Sequence, residues 1–380
     1  MRCTLTRSED QQNEFALFTA MPRLSRAEVI DPRQVTIVHA INRTVRRCFL
    51  MGDDPISGTN FDHRKEWIET LLQHFAAHFG IDLLCYSILS NHYHLILRTR
   101  PDVVAEWDDT EVARRWLMIC PQRKIGALPA QPTQMELNSI RNCPVKLAEA
   151  RKRLSDVSWW MRLLNQRIAQ RANKEDKAQG RFWQDRFRAI RIEDDESLLA
   201  CAAYVELNPI RASIVKTLEQ SEFTSVKRRI DSEVQASCSD PPENRPQPSV
   251  SPEQRRDAFL AKLSIDQRND ALRACVSDTG KRCSDKGFLS LSINDYIELL
   301  DWTARQIAPD KRGRTPASCP PILKRLGLVK DSWCSLVMQF EEVFCHVAGR
   351  VDRVASCRSH QTQRRFRVRP MARTLLPAPL

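Results

Sequence analysis

Over its first 217 residues the chain arranges apolar and polar positions in a readable order. The run QVTIVHAINR (34–43) is β-branched and extended, which predicts a strand. Residues 61–79 place Trp67, Leu71, Leu72, Phe75 and Phe79 at helical spacing and stop at Gly80, a helix with its C-terminal signal. IDLLCYSIL (81–89) reads as a buried strand, Ser90-Asn91 as a turn, and HYHLILRT (92–99) as the returning strand. A helix is expected near 109–118, then a proline-containing polar stretch to about 145. One long basic helix follows over 146–173, with Trp159, Trp160, Leu163 and Leu164 on its apolar stripe. RFWQDRFRAIRI (181–192) predicts a strand. A short helix from Asp195 to Leu207 should stop at Pro209, because proline disfavours helical backbone at Asn208. This order predicts an α+β fold with a ferredoxin-like antiparallel sheet.

The pattern changes after residue 217. Pro241, Pro242, Pro246, Pro248 and Pro252 crowd together, so 218–254 is expected to be a linker. Beyond it, 255–348 reads as a mostly helical accessory region, and 349–380 as an arginine-rich tail. At the other end, residues 1–20 show no period and end before a second plausible start, Met21. They are expected to be a floppy extension or an upstream start. No internal repeat is visible.

Composition narrows the function. At 42% apolar and 28% charged the chain can bury a core, which excludes wholesale disorder. Glycine is scarce, ten in 380 residues, and neither glycine-rich phosphate loop occurs, which argues against ATP-driven motors and nucleotide-cofactor enzymes. The thirteen cysteines never form a C-x-x-C, so they do not read as zinc knuckles. The longest apolar run, Ile81 to Leu89, contains Asp82 and is too short to span a bilayer. With no secretory leader in view, a cytoplasmic protein with reduced thiols and no membrane partner is expected.

The net charge of +12 is concentrated. Ser139 to Arg191 carries 14 basic against 5 acidic residues, and Cys345 to Leu380 carries 8 arginines against one aspartate. Trp159, Trp160, Phe182, Trp183 and Phe187 interleave with the first block. That combination suits a surface that tracks phosphates and stacks bases; the alternative is a solvated helix face and a soluble tail.

Two pairs of residues could carry chemistry. His92 and His94 flank Tyr93 on a strand, so both imidazoles project to one side and could share a divalent ion, or serve structure alone. Tyr204 and Asn208 stand four apart on a helix and share a face. They could present a nucleophile and a hard metal ligand to one point. Equally, Tyr204 could be a packed aromatic and Asn208 a C-cap before Pro209. The chain has four tyrosines, and neither Tyr86 nor Tyr296 has a comparable partner four residues on.

SNHYHLIL, GRFWQDRF and AYVELNPIRA, in that order, resemble the single-tyrosine HUH transposases, most closely the REP-associated tyrosine transposases. The match covers about residues 21–217, and MPRLSR at Met21 is similar to the usual start of such proteins. The resemblance implies an HUH endonuclease core in which His92 and His94 hold Mg²⁺ or Mn²⁺, Asn208 completes the metal site and Tyr204 is the nucleophile. It also implies DNA contact or scaffolding by Arg181, Trp183, Arg186, Arg188 and Arg211. Arg43, Arg46 and Arg47, with Arg23 and Arg26, would read the flank of a DNA hairpin. Ser213 stands where relatives carry glycine, and 119–145 looks like an insertion.

The implied reaction suits these residue types. A metal-polarised phosphodiester is attacked by Tyr204, which keeps the bond energy as a 5′-phosphotyrosine until a DNA 3′-OH reverses the step without ATP. The expected partner is single-stranded or hairpin DNA, met by a monomer or homodimer at the nucleoid. Two alternatives are a replication initiator or relaxase of the same chemistry, and a catalytically silent DNA-binding descendant.

Overall fold

The structure, a computed structural model, describes residues 24–45, 51–54, 58–125, 128–237, 251–265, 277, 279–307, 323–324, 326, 328–358 and 365–376. The extension 1–20, Arg23, Arg46, Arg47 and four of the five clustered prolines lie outside them.

The chain folds as α+β around a five-stranded mixed sheet of order β2-β3-β1-β6-β7. Helix α1 (Arg26–Val29) precedes β1 (Ile37–Arg43). Then come α2 (His63–His78), β2 (Ile81–Ile88) and β3 (His92–Thr99). A helical block follows: α3 (Pro101–Glu106), α4 (Asp109–Ile119), the small hairpin β4 (Lys124–Ile125) and β5 (Leu128–Pro129), α5 (Gln134–Arg141), α6 (Pro144–Leu154) and α7 (Val157–Glu175). Strand β6 (Arg188–Ile192) leads into α8 (Asp195–Glu206) and α9 (Asn208–Arg211). The remainder holds α10 (Ser225–Ser237), α11 (Ile293–Ile307), α12 (Lys330–Val343), β7 (Val347–Ala348), α13 (Val351–Cys357) and α14 (Pro370–Leu375).

Central β1 pairs antiparallel with both β3 and β6, with Ile41 opposite His94 on one side and Arg188 on the other. Alternation sorts the side chains. Tyr93, Leu95 and Leu97 of β3 join the core under α2 and α7, where Phe75, Phe79 and Trp160 pack ring against ring at about 5 Å. Ile96 joins a second core under α8, α11 and α12. Helix α8 lies between the sheet and α12, which is why its sequence, LLACAAYV, is apolar all round. Its N-cap Asp194 accepts from the backbone N–H of Ser197 and also from that of Arg350, tying the helix start to the C-terminal segment.

Several expectations need correction. The polar stretch before 145 contains a hairpin and α5, opened by a Thr133–Glu136 capping box. The long basic helix is two, α6 and α7, broken at Ser155 and restarted by Asp156 as N-cap. The 181–192 strand is regular only from Arg188. Before it, the chain follows β1 through single contacts, Gln184 N–H to Arg43 carbonyl (2.8 Å) and Val45 N–H to Phe182 carbonyl (2.9 Å). Helix α8 ends before Pro209 as expected, at Glu206, but the chain does not leave helical structure there, and Pro209 occupies the first turn of a separate short helix, α9, where its missing N–H costs nothing. Within 218–254, α10 packs on β2. Its Ser225 hydroxyl donates to Glu206 Oε1 (2.6 Å), and Glu206 Oε2 accepts from the Val226 N–H (2.9 Å). The expected stacking platforms Trp160, Phe182 and Phe187 are buried, because the stripe of α7 and the approach to β6 face the sheet. No described helix is long and apolar enough to cross a membrane.

Candidate active site

Since Tyr93 points into the α2/α7 core, His92 and His94 leave β3 on the α8 face. His94 is the hub. Asn208 Nδ2 donates to its Nε2 at 2.8 Å, so the ring proton sits on Nδ1, which donates to His39 Nε2 at 3.0 Å. His39 lies on β1 opposite Ile96, one strand-repeat along the same face, and its ring stacks on His94 at 5.2 Å. The Nδ1 of His39 is buried with no hydrogen-bond partner. His92 Nδ1 lies 2.6 Å from Asn91 Oδ1, which can only accept, so its Nε2 keeps a free lone pair. The rings of His92 and His94 are 5.0 Å apart. Burial lowers the pKa of His39 and of His92 to about 4 and takes His94 well below its ordinary value. At neutral pH all three imidazoles are therefore uncharged.

Tyr204 comes to the same place from α8. Its ring stands edge-on to His94, 5.4 Å between centroids, and is 6% exposed. Its hydroxyl donates to Glu341 Oε1 at 2.6 Å. Burial, then the Glu341 charge, raise the phenol above its ordinary pKa, while the Arg211 guanidinium, 4.4 Å over the ring, works the other way. Glu341 belongs to α12. Its Oε2 pairs with Arg188 Nη1 at 3.1 Å, and its Oε1 lies 3.7 Å from His94 Nδ1. Burial opposes its charge, but His39, the Tyr204 hydroxyl and Arg188 outweigh that and hold the carboxyl below its ordinary pKa.

These residues suit a divalent cation. His92, His94 and Asn208 offer two neutral imidazoles and an amide on one edge of His94. His39, His94 and Glu341 offer ligand atoms within 4.8 Å of one another on the other. The first set leaves His39 as the partner that fixes the His94 tautomer, in the place where a carboxylate, carbonyl or water more often stands behind a metal-binding imidazole.

A cavity of about 570 Å³ opens beside Glu341, walled by Arg26, Arg43, Arg186, Arg188, Arg367 and Arg369. Arg43 and Arg186, expected at DNA, line it. Arg188 also lines it, but its guanidinium is held by Glu341 and by the carbonyls of Glu341 and Phe344. Arg211 lies over Tyr204 and donates to the Met338 carbonyl. Arg181 is exposed, whereas Trp183 is half-buried, its Nε1–H donating to the Asn165 carbonyl at 2.9 Å. His39 and Glu341 were missed. The first had a signal, an imidazole in phase on a neighbouring strand. The second had none, since only the packing of α12 brings it in.

No family model matches the chain, and a search of curated proteins returns no match. Among solved structures, one of a REP-associated tyrosine transposase bound to a REP hairpin aligns with 55% of this chain and 86% of that one, at 13% identity and a TM-score of 0.33. A likeness that loose carries no chemical argument, and the site rests on its own geometry.

Proposed function

We propose that this chain is a transposase-type nuclease and strand transferase. On this reading its ferredoxin-like HUH core nicks and rejoins single-stranded or hairpin DNA through a 5′-phosphotyrosine at Tyr204. The supporting observation is the meeting of two motifs: His94 and Asn208, 114 positions apart, touch within a turn of the Tyr204 phenol. His92, His94 and Asn208 would hold Mg²⁺ or Mn²⁺, which when bound polarises the scissile phosphate. The chain's own groups do the rest. His39 keeps the His94 lone pair on Nε2, Arg211 stacks on the phenol, and the arginine cavity attracts the phosphate backbone.

The test is incubation of the protein with hairpin DNA and Mn²⁺, followed by a denaturing gel. Wild type forms a covalent protein–DNA band, and Tyr204→Phe lowers it by more than about a thousandfold, as expected on removal of a nucleophile. A band that persists in the variant removes Tyr204 from the role. The burial of Tyr204 favours a second reading, a DNA-binding protein without catalysis. It predicts hairpin binding with no band in wild type.

A further inference from the structure

We infer that Glu341, supplied by α12 outside the region that resembles the transposases, is the proton acceptor for Tyr204. This inference rests on the nicking reading above. A phenol attacks phosphorus well only as its proton leaves, and that proton needs an acceptor within hydrogen-bond reach. Glu341 Oε1 is 2.6 Å from the Tyr204 hydroxyl, which donates to it. The imidazoles have other uses: on that reading His92 and His94 hold the metal, and His39 Nε2 accepts from His94.

The alternative use of Glu341 is as a metal ligand beside His39 and His94. Its bonding argues against that. Oε1 is held by the phenol, and Oε2 by the positive charge of Arg188, so neither oxygen is free for a cation without breaking a charge-assisted bond. Arg188 in turn is fixed by the carbonyls of Glu341 and Phe344, which sets the direction of the carboxylate.

In the step, the Tyr204 proton passes to Glu341 Oε1 as the bond from Oη to phosphorus forms and the bond from phosphorus to the DNA 3′ oxygen breaks. The 3′ oxygen leaves with the bonding pair and takes a proton from water. In the joining direction an incoming 3′-OH releases its proton to water as its oxygen displaces the phenol oxygen from phosphorus, and Glu341 returns its proton to Tyr204.

The experiment is single-turnover cleavage of a labelled hairpin in Mn²⁺ by wild type, Glu341→Gln and Glu341→Asp. Hairpin affinity, Mn²⁺ affinity by calorimetry and the thermal midpoint are measured on each. The Gln variant keeps both affinities and loses roughly 10²- to 10⁴-fold in rate, the range of a general base. The Asp variant, which keeps a carboxylate, recovers part of that loss. An unchanged or faster Gln variant overturns the inference, the faster one making Glu341 a brake. So does a matching loss of Mn²⁺ affinity, which would make it a ligand, or an equal rate loss in both variants. A wild type that forms no covalent band sinks the nicking reading itself, whereas a wild-type band with an unimpaired Gln variant sinks only the role of Glu341.

Discussion

The two faces of the central sheet are built from the same strands and hold opposite contents. Under α2 and α7 lie Phe75, Phe79, Trp160, Tyr93 and Leu95, rings and hydrocarbon packed against one another. Under α8 and α12 the same β1 and β3 present His39, His92 and His94 to a phenol, an amide and a carboxylate. The alternation of a strand makes this separation possible, since adjacent residues such as Tyr93 and His94 serve different cores. One face can then be optimised for packing while the other holds groups that packing alone would not select.

Damage to the packed face should cost stability and leave the chemistry alone. Trp160→Ala, at a fully buried ring, is expected to lower the unfolding free energy by about 3–5 kcal/mol in urea denaturation. The covalent adduct per folded molecule should stay the same; a loss of adduct would mean that the faces are coupled. On the other face, His39→Leu, which removes the acceptor for His94 Nδ1–H, should weaken Mn²⁺ binding about 10- to 100-fold in a calorimetric titration, the usual cost of removing the partner of a ligating imidazole. Unchanged affinity would leave His39 as packing only. The smallest effect concerns the exit from α9, where Ser213 has φ +58, a left-handed conformation that glycine adopts freely. Ser213→Gly should raise the unfolding free energy by about 0.5–1 kcal/mol. No gain would show that the serine carries no strain there.

Most of the first 217 residues were legible because period and turn signals are local. The strands at 37–43, 81–88 and 92–99 and helix α2 lie where the pattern put them. Local information also misled. RFWQDRF looks like strand from its aromatics, but Phe182 and Phe187 turn inward as loop residues, a choice made by the core and not by propensity. The site divides similarly. His92, His94, Tyr204 and Asn208 could be named as candidates from spacing, and given roles only through the resemblance. His39 needed the β1–β3 register, and Glu341 needed a helix docked from beyond the proline-rich stretch, which no nearby residue announces.

That docking gives the site an order of assembly in time. Glu341 follows Tyr204 by 137 positions, and β7, which zips α12's end onto β6, follows it closely. At roughly 5–20 residues per second of synthesis, Glu341 leaves the ribosome roughly 7–27 seconds after Tyr204. On the proposed reading, a growing chain therefore carries Tyr204 while its proton acceptor is still untranslated, and the site is complete only once the C-terminal segment has docked.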